Sequence, residues 1–172
     1  LSFSPIMMQD PNEIKEKIIS VLKSKGPSLP VHIAGEIKTS ILFSSAFLGE
    51  LLSEKIVRIS HMRVGSSPLY FLPGQESFLE NFSQHLKSKE KEAFLLLKEK
   101  RFLVDSIQNP AIRVALREIR DFALPFKNGE EIMWRHFLVP ESEFKIKEEE
   151  KKPMEIEIKK PVTMEVKMEK PL

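Results

Sequence analysis

The sequence predicts an α+β protein, mainly helical with small β-hairpins, that is built from two modules in tandem and followed by a disordered charged tail. Two observations predict the modules. Apolar residues recur at helical spacing, and each such stretch is followed by a pair of β-prone runs on either side of a glycine-containing turn. The Lys/Glu/Pro-rich end of the chain predicts the tail. We therefore expect module 1 at 10–75, a connecting helix at 76–87, module 2 at 88–140 and the tail at 141–172.

Composition narrows the class of protein. The 172 residues contain no cysteine, which excludes a disulfide, a thiolate zinc site and a thiol nucleophile. No run reaches the roughly 18 uncharged apolar residues of a membrane span, and the start lacks a secretory signal, so we expect a cytoplasmic protein without membrane contact. The net charge is +2, but the tail holds eight lysines and nine glutamates, which leaves a mildly basic body of net charge +3.

Module 1 begins with a predicted helix over 12–25, where apolar residues recur every three or four positions. Asp10 is the expected N-cap, Pro11 suits the first turn, and Gly26 with Pro27 ends the helix. A short helix over 31–37 and a longer one over 41–55 should follow. A strand at 56–60, a turn at 65–68 and a returning strand at 69–72 then predict a hairpin.

This order of three helices and a hairpin resembles the winged helix-turn-helix family. The resemblance is carried by residues 47–59, FLGELLSEKIVRI, followed by residues 64–72, VGSSPLYFL. In such domains the third helix ends in a leucine pair and a charged turn before the strand that enters the wing. The resemblance implies an archaeal-type DNA-binding regulator or chromatin-associated factor.

Module 2 repeats the order of elements. An amphipathic connecting helix is predicted at 77–86, a helix at 89–100 behind Ser88, and a short element containing Phe102, Leu103 and Ile107. Asn109 and Pro110 open a helix that ends near residue 120. Strands at 122–126 and 132–138 flank an Asn-Gly turn, and Pro125 places its strand at a sheet edge.

Arginines on the last predicted helix are the most informative candidates for binding. Arg113, Arg117 and Arg120 recur at helical spacing beside the apolar stripe, so they form an exposed edge that suits a phosphate backbone. Lys127 and Arg135 on the hairpin could extend this edge. The alternative is a solvated face on which acidic residues pair with the arginines, namely Glu90, Glu92, Glu118 and Asp121.

Module 1 offers a second set of candidates. One cation and three hydroxyls near the start of its longer helix are suited to bind phosphates: Lys38, Ser40, Ser44 and Ser45. The alternative is that the hydroxyls only cap the helix. Arg58 and Arg63 lie on the predicted hairpin. The apolar run Ile41, Leu42 and Phe43 opposes DNA contact by this helix and favours a protein partner.

No pattern in the sequence predicts catalysis. The four histidines lack metal-ligand spacing and an evident acidic mate, and no glycine-rich phosphate loop is present. We therefore expect no enzymatic activity, catalytic residue, metal or cofactor. The aromatic residues of the hairpins, including Trp134, are expected mostly in the core rather than as base-stacking platforms.

Three functions remain open. The leading hypothesis is double-stranded DNA binding, with a helix of each module in or near the major groove and each hairpin on the backbone, in a nucleoid-associated protein. The alternative is a protein-interaction scaffold that uses the run at 41–43 or the tail, whose doublet at 151–158 and 159–168 could add a strand to a partner's sheet. A homodimer through the connecting helix is also open, as is a targeting part of a longer effector protein.

Overall fold

The computed structural model describes residues 10–151, without the side chain of Lys151. The fold is α+β with two small antiparallel sheets, as the sequence predicts. In module 1 the elements are α1 (Pro11–Lys25), α2 (Pro30–Ile37), α3 (Ile41–Ser53), β1 (Arg58–Val64) and β2 (Ser67–Phe71). A 3-10 helix (Glu76–His85) leads to α4 (Ser88–Lys100), β3 (Phe102–Val104), α5 (Pro110–Glu118), β4 (Ala123–Asn128) and β5 (Glu131–His136). The last described element is α6 (Glu141–Lys151).

Helix α1 forms as its local sequence predicts. The Asp10 carboxylate accepts the backbone N–H of Asn12 at 3.0 Å, and Pro11 occupies the first turn, where no N–H is needed. Gly26 ends the helix at a φ of 77°, in the left-handed region that favours glycine. Ile18 and Leu22 are fully buried, which confirms the predicted apolar face.

The hairpin of module 1 is longer than predicted. Gly65 and Ser66 alone form the turn, because Gly65 adopts a φ of 64° that permits a two-residue connection. The strand β1 bulges between Ile59 and Arg63. At the bulge the Ser60 hydroxyl donates to the carbonyl of Met62 at 2.7 Å and accepts the backbone N–H of Leu69 at 2.9 Å.

Module 2 differs from its predicted form in two elements. The predicted connecting helix is a 3-10 helix rather than an α-helix, and the short element at Phe102 is the strand β3. In β3 only Leu103 is buried between its half-buried neighbours, which is the period of a strand. The sheet order is β3-β5-β4, so β4 is an edge strand and the prediction for Pro125 is confirmed.

The hairpin of module 1 joins the apolar core of module 2. One buried cluster belongs to α1, α2 and α3, with Leu48 and Leu51 at its centre. The other cluster contains Leu116 and Phe122 together with Leu69 of β2. Because the hairpin contributes side chains to the second cluster, the described chain up to residue 141 forms one compact unit. The predicted boundary at residue 76 does not separate two cores.

The prediction of disorder is wrong for residues 141–151, which form α6. Glutamate and lysine have high helix propensity, and Glu141 and Lys145 have the i, i+4 spacing that stabilises a helix. The rest of the predicted tail lies outside the described residues, as does nearly all of the doublet at 151–168. Across 10–151, no helix has the length and apolar character to cross a membrane.

Candidate nucleic-acid interface

A buried carboxylate lies beneath the arginines of α5. Asp105 follows β3 directly, and its backbone N–H donates to the carbonyl of Ile132 at 2.9 Å. Only 3% of its side chain is exposed. The two carboxylate oxygens accept Trp134 Nε1 at 2.9 Å, Arg113 Nε at 3.0 Å and Arg117 Nη1 at 2.7 Å, and further contacts come from both Nη2 atoms.

Arg113 and Arg117 can share one carboxylate because residues four apart lie on the same face of a helix. The hydrogen bonds from Arg117 hold the pKa of Asp105 well below its usual range, and this effect outweighs burial, which would raise that pKa. The same hydrogen bonds raise the pKa of Arg117. Asp105 is therefore ionised at neutral pH, and the three charged groups have a net charge of +1.

Arg113, Arg117 and Arg120 are all exposed, but only the first two lie on the helix, because α5 ends at Glu118 and Arg120 belongs to the turn that follows. The side chains of Arg113 and Arg117 are 44% and 42% exposed, and Arg120 Nε donates to the carbonyl of Arg117 at 3.3 Å. The acidic partner is Asp105, which was not among the acidic residues considered from the sequence. Its position directly after an apolar β-prone run is the one signal that could have indicated a buried carboxylate.

Asp121, in the turn after α5, contacts the hairpin of module 1. Its carboxylate accepts the backbone N–H groups of His61 at 2.9 Å and Met62 at 2.7 Å. Arg120 and Arg63 are therefore each one residue from this contact. Arg63 is exposed, and its Nη1 donates to the carbonyl of Ser66 at the hairpin turn at 2.6 Å. Asp121 binds backbone groups rather than the arginines with which the alternative interpretation paired it.

The candidates near α3 have different environments. Ser44 is fully buried, so the prediction that it contacts DNA is corrected: its position on the inner face of α3 leaves no surface for a phosphate. Ser40 is the N-cap of α3 and accepts the backbone N–H of Phe43 at 3.2 Å. Lys38 and Ser45 are exposed.

Two of the three remaining candidates on the hairpins already bind other groups of the protein. Arg58 pairs with Glu76 at 2.7 Å and lies over the Phe71 ring at 5.9 Å. Arg135 is half-buried, and its Nη1 donates to the carbonyl of Val139 at 2.8 Å. Lys127, on the edge strand β4, is exposed. Unlike Arg58 and Arg135, Lys127 has no side-chain hydrogen bond or ion pair with another described residue.

The outer surface of α3 is apolar at its start. Ile41, Leu42 and Phe43 are 55%, 80% and 61% exposed, and the sequence of α3 contains no lysine or arginine. Its glutamate, Glu50, and its C-cap residue, Glu54, both pair with Lys15 of α1. Helix α3 therefore contains no cation that could contact phosphates in a DNA groove.

The histidines form no metal site in the part of the chain that the structure describes, where no three metal-ligating side chains converge. His136 is buried and has an acidic mate that sequence spacing could not reveal, because Glu80 lies 56 residues away. The backbone N–H of Leu138 donates to His136 Nδ1, so Nε2 carries the proton of the neutral ring and donates to Glu80 Oε1 at 3.0 Å. Burial lowers the pKa of His136, and this outweighs the opposing effect of Glu80.

Comparisons with known proteins give one structural likeness. No family model matches the chain, and no curated protein matches it. The chain is similar to the crystal structure of a hypothetical protein from Pyrobaculum spherical virus, with 15% identity and a TM-score of 0.35. That match covers 72% of this chain and 95% of the viral one.

Proposed function

We propose that this chain is a non-catalytic protein that binds double-stranded DNA through its phosphates, as a transcription regulator or chromatin-associated factor. The observation that carries the proposal is the contact of Asp121 with the backbone of the β1 bulge. This contact attaches the turn after α5, which carries Arg120, to the hairpin that carries Arg63. A helix and a hairpin that both present cations can follow a phosphate backbone.

The order of elements in module 1 supports a winged-helix architecture. Three helices are followed by a two-stranded hairpin, and Ser28, between α1 and α2, pairs with Tyr70 of β2 as a short third strand would. We propose that the hairpin is the wing and that α5, rather than α3, supplies the basic helix surface.

The charges available support modest, salt-sensitive binding. Among the described residues, Arg63 and Arg120 have no carboxylate partner, and Arg113 and Arg117 share a single one. With Lys127 they make five cations. Because the Asp105 cluster has a net charge of +1, these cations neutralise about four phosphates, which corresponds to a log–log salt slope of about −3.6.

A fluorescent duplex titrated with the full chain at several ionic strengths tests this function. The double variant Arg63→Ala/Arg120→Ala removes two exposed cations that no carboxylate holds, so we expect weaker binding and a slope smaller by about 1.8. The matched control is Lys17→Ala/Lys23→Ala, which removes two exposed cations of α1. Absence of binding at low salt, or equal binding by both variants, would refute the proposal.

The exposed start of α3 favours a second candidate function, namely contact with a protein. We propose a second copy of this chain as the partner, because three neighbouring apolar side chains at 55–80% exposure need a matching apolar surface. Sedimentation of the wild-type chain should then show a concentration-dependent dimer. Leu42→Glu/Phe43→Glu should be monomeric and equally folded, whereas a wild-type chain that is monomeric at high concentration would exclude this candidate.

A further inference from the structure

The Asp105 cluster leaves hydrogen-bond donors that point away from its carboxylate. Five donor nitrogens surround the two oxygens of Asp105, so this acceptor is saturated. Arg113 Nη1 and Arg117 Nε make no hydrogen bond to any residue from 10 to 151. Because both side chains are more than 40% exposed, these donors remain available to a ligand.

The cluster also has more positive than negative charge. One carboxylate holds two guanidinium groups, and no other carboxylate within the described chain contacts either of them. The two like charges lie side by side because Asp105 attracts both. A bound anion would offset their mutual repulsion, and the forked guanidinium geometry suits the oxygens of a phosphate.

Arg117 is held in place by three groups. Beyond its contacts with Asp105, its Nη1 donates to the carbonyl of Arg113 at 2.8 Å, and its guanidinium lies 5.5 Å from the centre of the Trp134 ring. Trp134 is 5% exposed and donates to the same carboxylate, so the platform beneath the arginines belongs to the core. Folding therefore supplies most of the side-chain ordering that phosphate binding would otherwise require.

We infer that Asp105 and Trp134 position Arg113 and Arg117 as a clamp for a single phosphate group of the DNA backbone. This inference rests on the proposed function and makes it more specific. Arg113 and Arg117 are the binding residues, whereas Asp105 and Trp134 are positioning residues that do not touch the phosphate.

A double-mutant cycle tests the clamp with variants that keep the charge on each side chain. In Arg113→Lys, Arg117→Lys and their combination, an ammonium group can still pair with Asp105, but the forked donor geometry is lost. We expect each single variant to bind duplex about tenfold more weakly, the cost of a charge-assisted hydrogen bond. The salt slope should not change. Since the first substitution already breaks a shared site, the double variant should lose little more.

Arg101→Lys is the matched control, because Arg101 is exposed and is not one of the five cations proposed to contact phosphates. We expect this variant to bind within about twofold of wild type, since it keeps the charge and changes no proposed phosphate contact. If the wild type binds and the two α5 variants bind equally well, the clamp is refuted while DNA binding stands. A double variant about a hundredfold weaker would assign two separate phosphates to the arginines, and failure of the wild type to bind would refute the proposed function itself.

A measurement on the wild-type chain removes any dependence on variant folding. The Nε–H resonance of Arg117 should shift when duplex is added, while that of Arg135, whose guanidinium is bonded to a backbone carbonyl, should stay in place. No shift at Arg117 would overturn the clamp. Inorganic phosphate at the same concentration should leave the resonance unchanged, and an equal shift would assign the clamp to a free anion instead of DNA.

Discussion

The carboxylate of Asp121 accepts the backbone N–H of Met62 at 2.7 Å, although the two residues are 59 positions apart. The same carboxylate accepts the N–H of His61, so one side chain satisfies two backbone donors in the bulged part of β1. The turn after α5 is thereby attached to the hairpin. This attachment sets where Arg63 lies relative to Arg120.

Replacing Asp121 should loosen the hairpin. In Asp121→Ala the two backbone N–H groups lose a charged acceptor, and we expect the free energy of unfolding to fall by about 1.5–3 kcal/mol. Urea denaturation followed by circular dichroism measures this change. Glu118→Ala, which removes an exposed carboxylate at the end of α5, should stay within about 0.5 kcal/mol of wild type. Similar losses in both variants would contradict the assigned role of Asp121.

The shared core predicts that the two modules unfold together. Leu69 is fully buried in the cluster that also contains α4 and α5 residues, so Leu69→Ala should cost about 2–5 kcal/mol. Calorimetry should show one transition at a lower temperature. Leu42→Ala removes the same atoms from a side chain that is 80% exposed and should change stability by less than about 0.5 kcal/mol. Two separate transitions, of which only one shifts, would show that the modules are independent.

Asp105 should make the protein sensitive to acid. Its pKa is lower in the folded chain than the value of about 3.9 in an unfolded one, so its stabilising effect is complete above pH 4 and is lost as the pH falls further. Asp105→Asn should reduce stability at pH 7 by about 2–3 kcal/mol, less than for a fully buried pair because the arginines are half exposed. It should also flatten the decline between pH 4 and pH 2. Unfolding at each pH checks both effects, and an unchanged acid decline would contradict this account.

His136 should contribute a second pH dependence nearer neutrality. Because burial lowers its pKa below the unfolded value of about 6.5, the unfolded chain binds more protons there, and stability falls as the pH drops below about 7. In His136→Gln this decline should be smaller. The control is His61→Gln, at an exposed position on the hairpin, and should retain the wild-type profile. Urea unfolding at pH 7.5 and pH 5 distinguishes the variants.

Local signals in the sequence predicted most secondary structure. The cap at Asp10, the Asn109 cap of α5 and the turn of the second hairpin each involve groups within a few residues, although the turn itself is at Gly129 and Glu130, one position after the predicted Asn-Gly pair. Secondary structure was harder to predict where the local sequence suits two elements. The apolar run around Phe102 is short enough to form either a helix or a strand. The prediction of disorder missed the helix at 141–151 for a related reason, since a charge-rich composition that suggests disorder is also rich in helix formers.

The sequence by itself determined the α+β class, the order of the main elements and the exposed positions of Arg113 and Arg117 on α5, because helical and strand periodicity depend on neighbouring residues. Tertiary structure alone decided that Asp105 would lie beneath that edge and that Asp121 would hold the hairpin. It also placed Leu69 in the core of the other module. Each of these contacts joins residues brought together by burial of apolar surface elsewhere, and no local spacing encodes such a meeting.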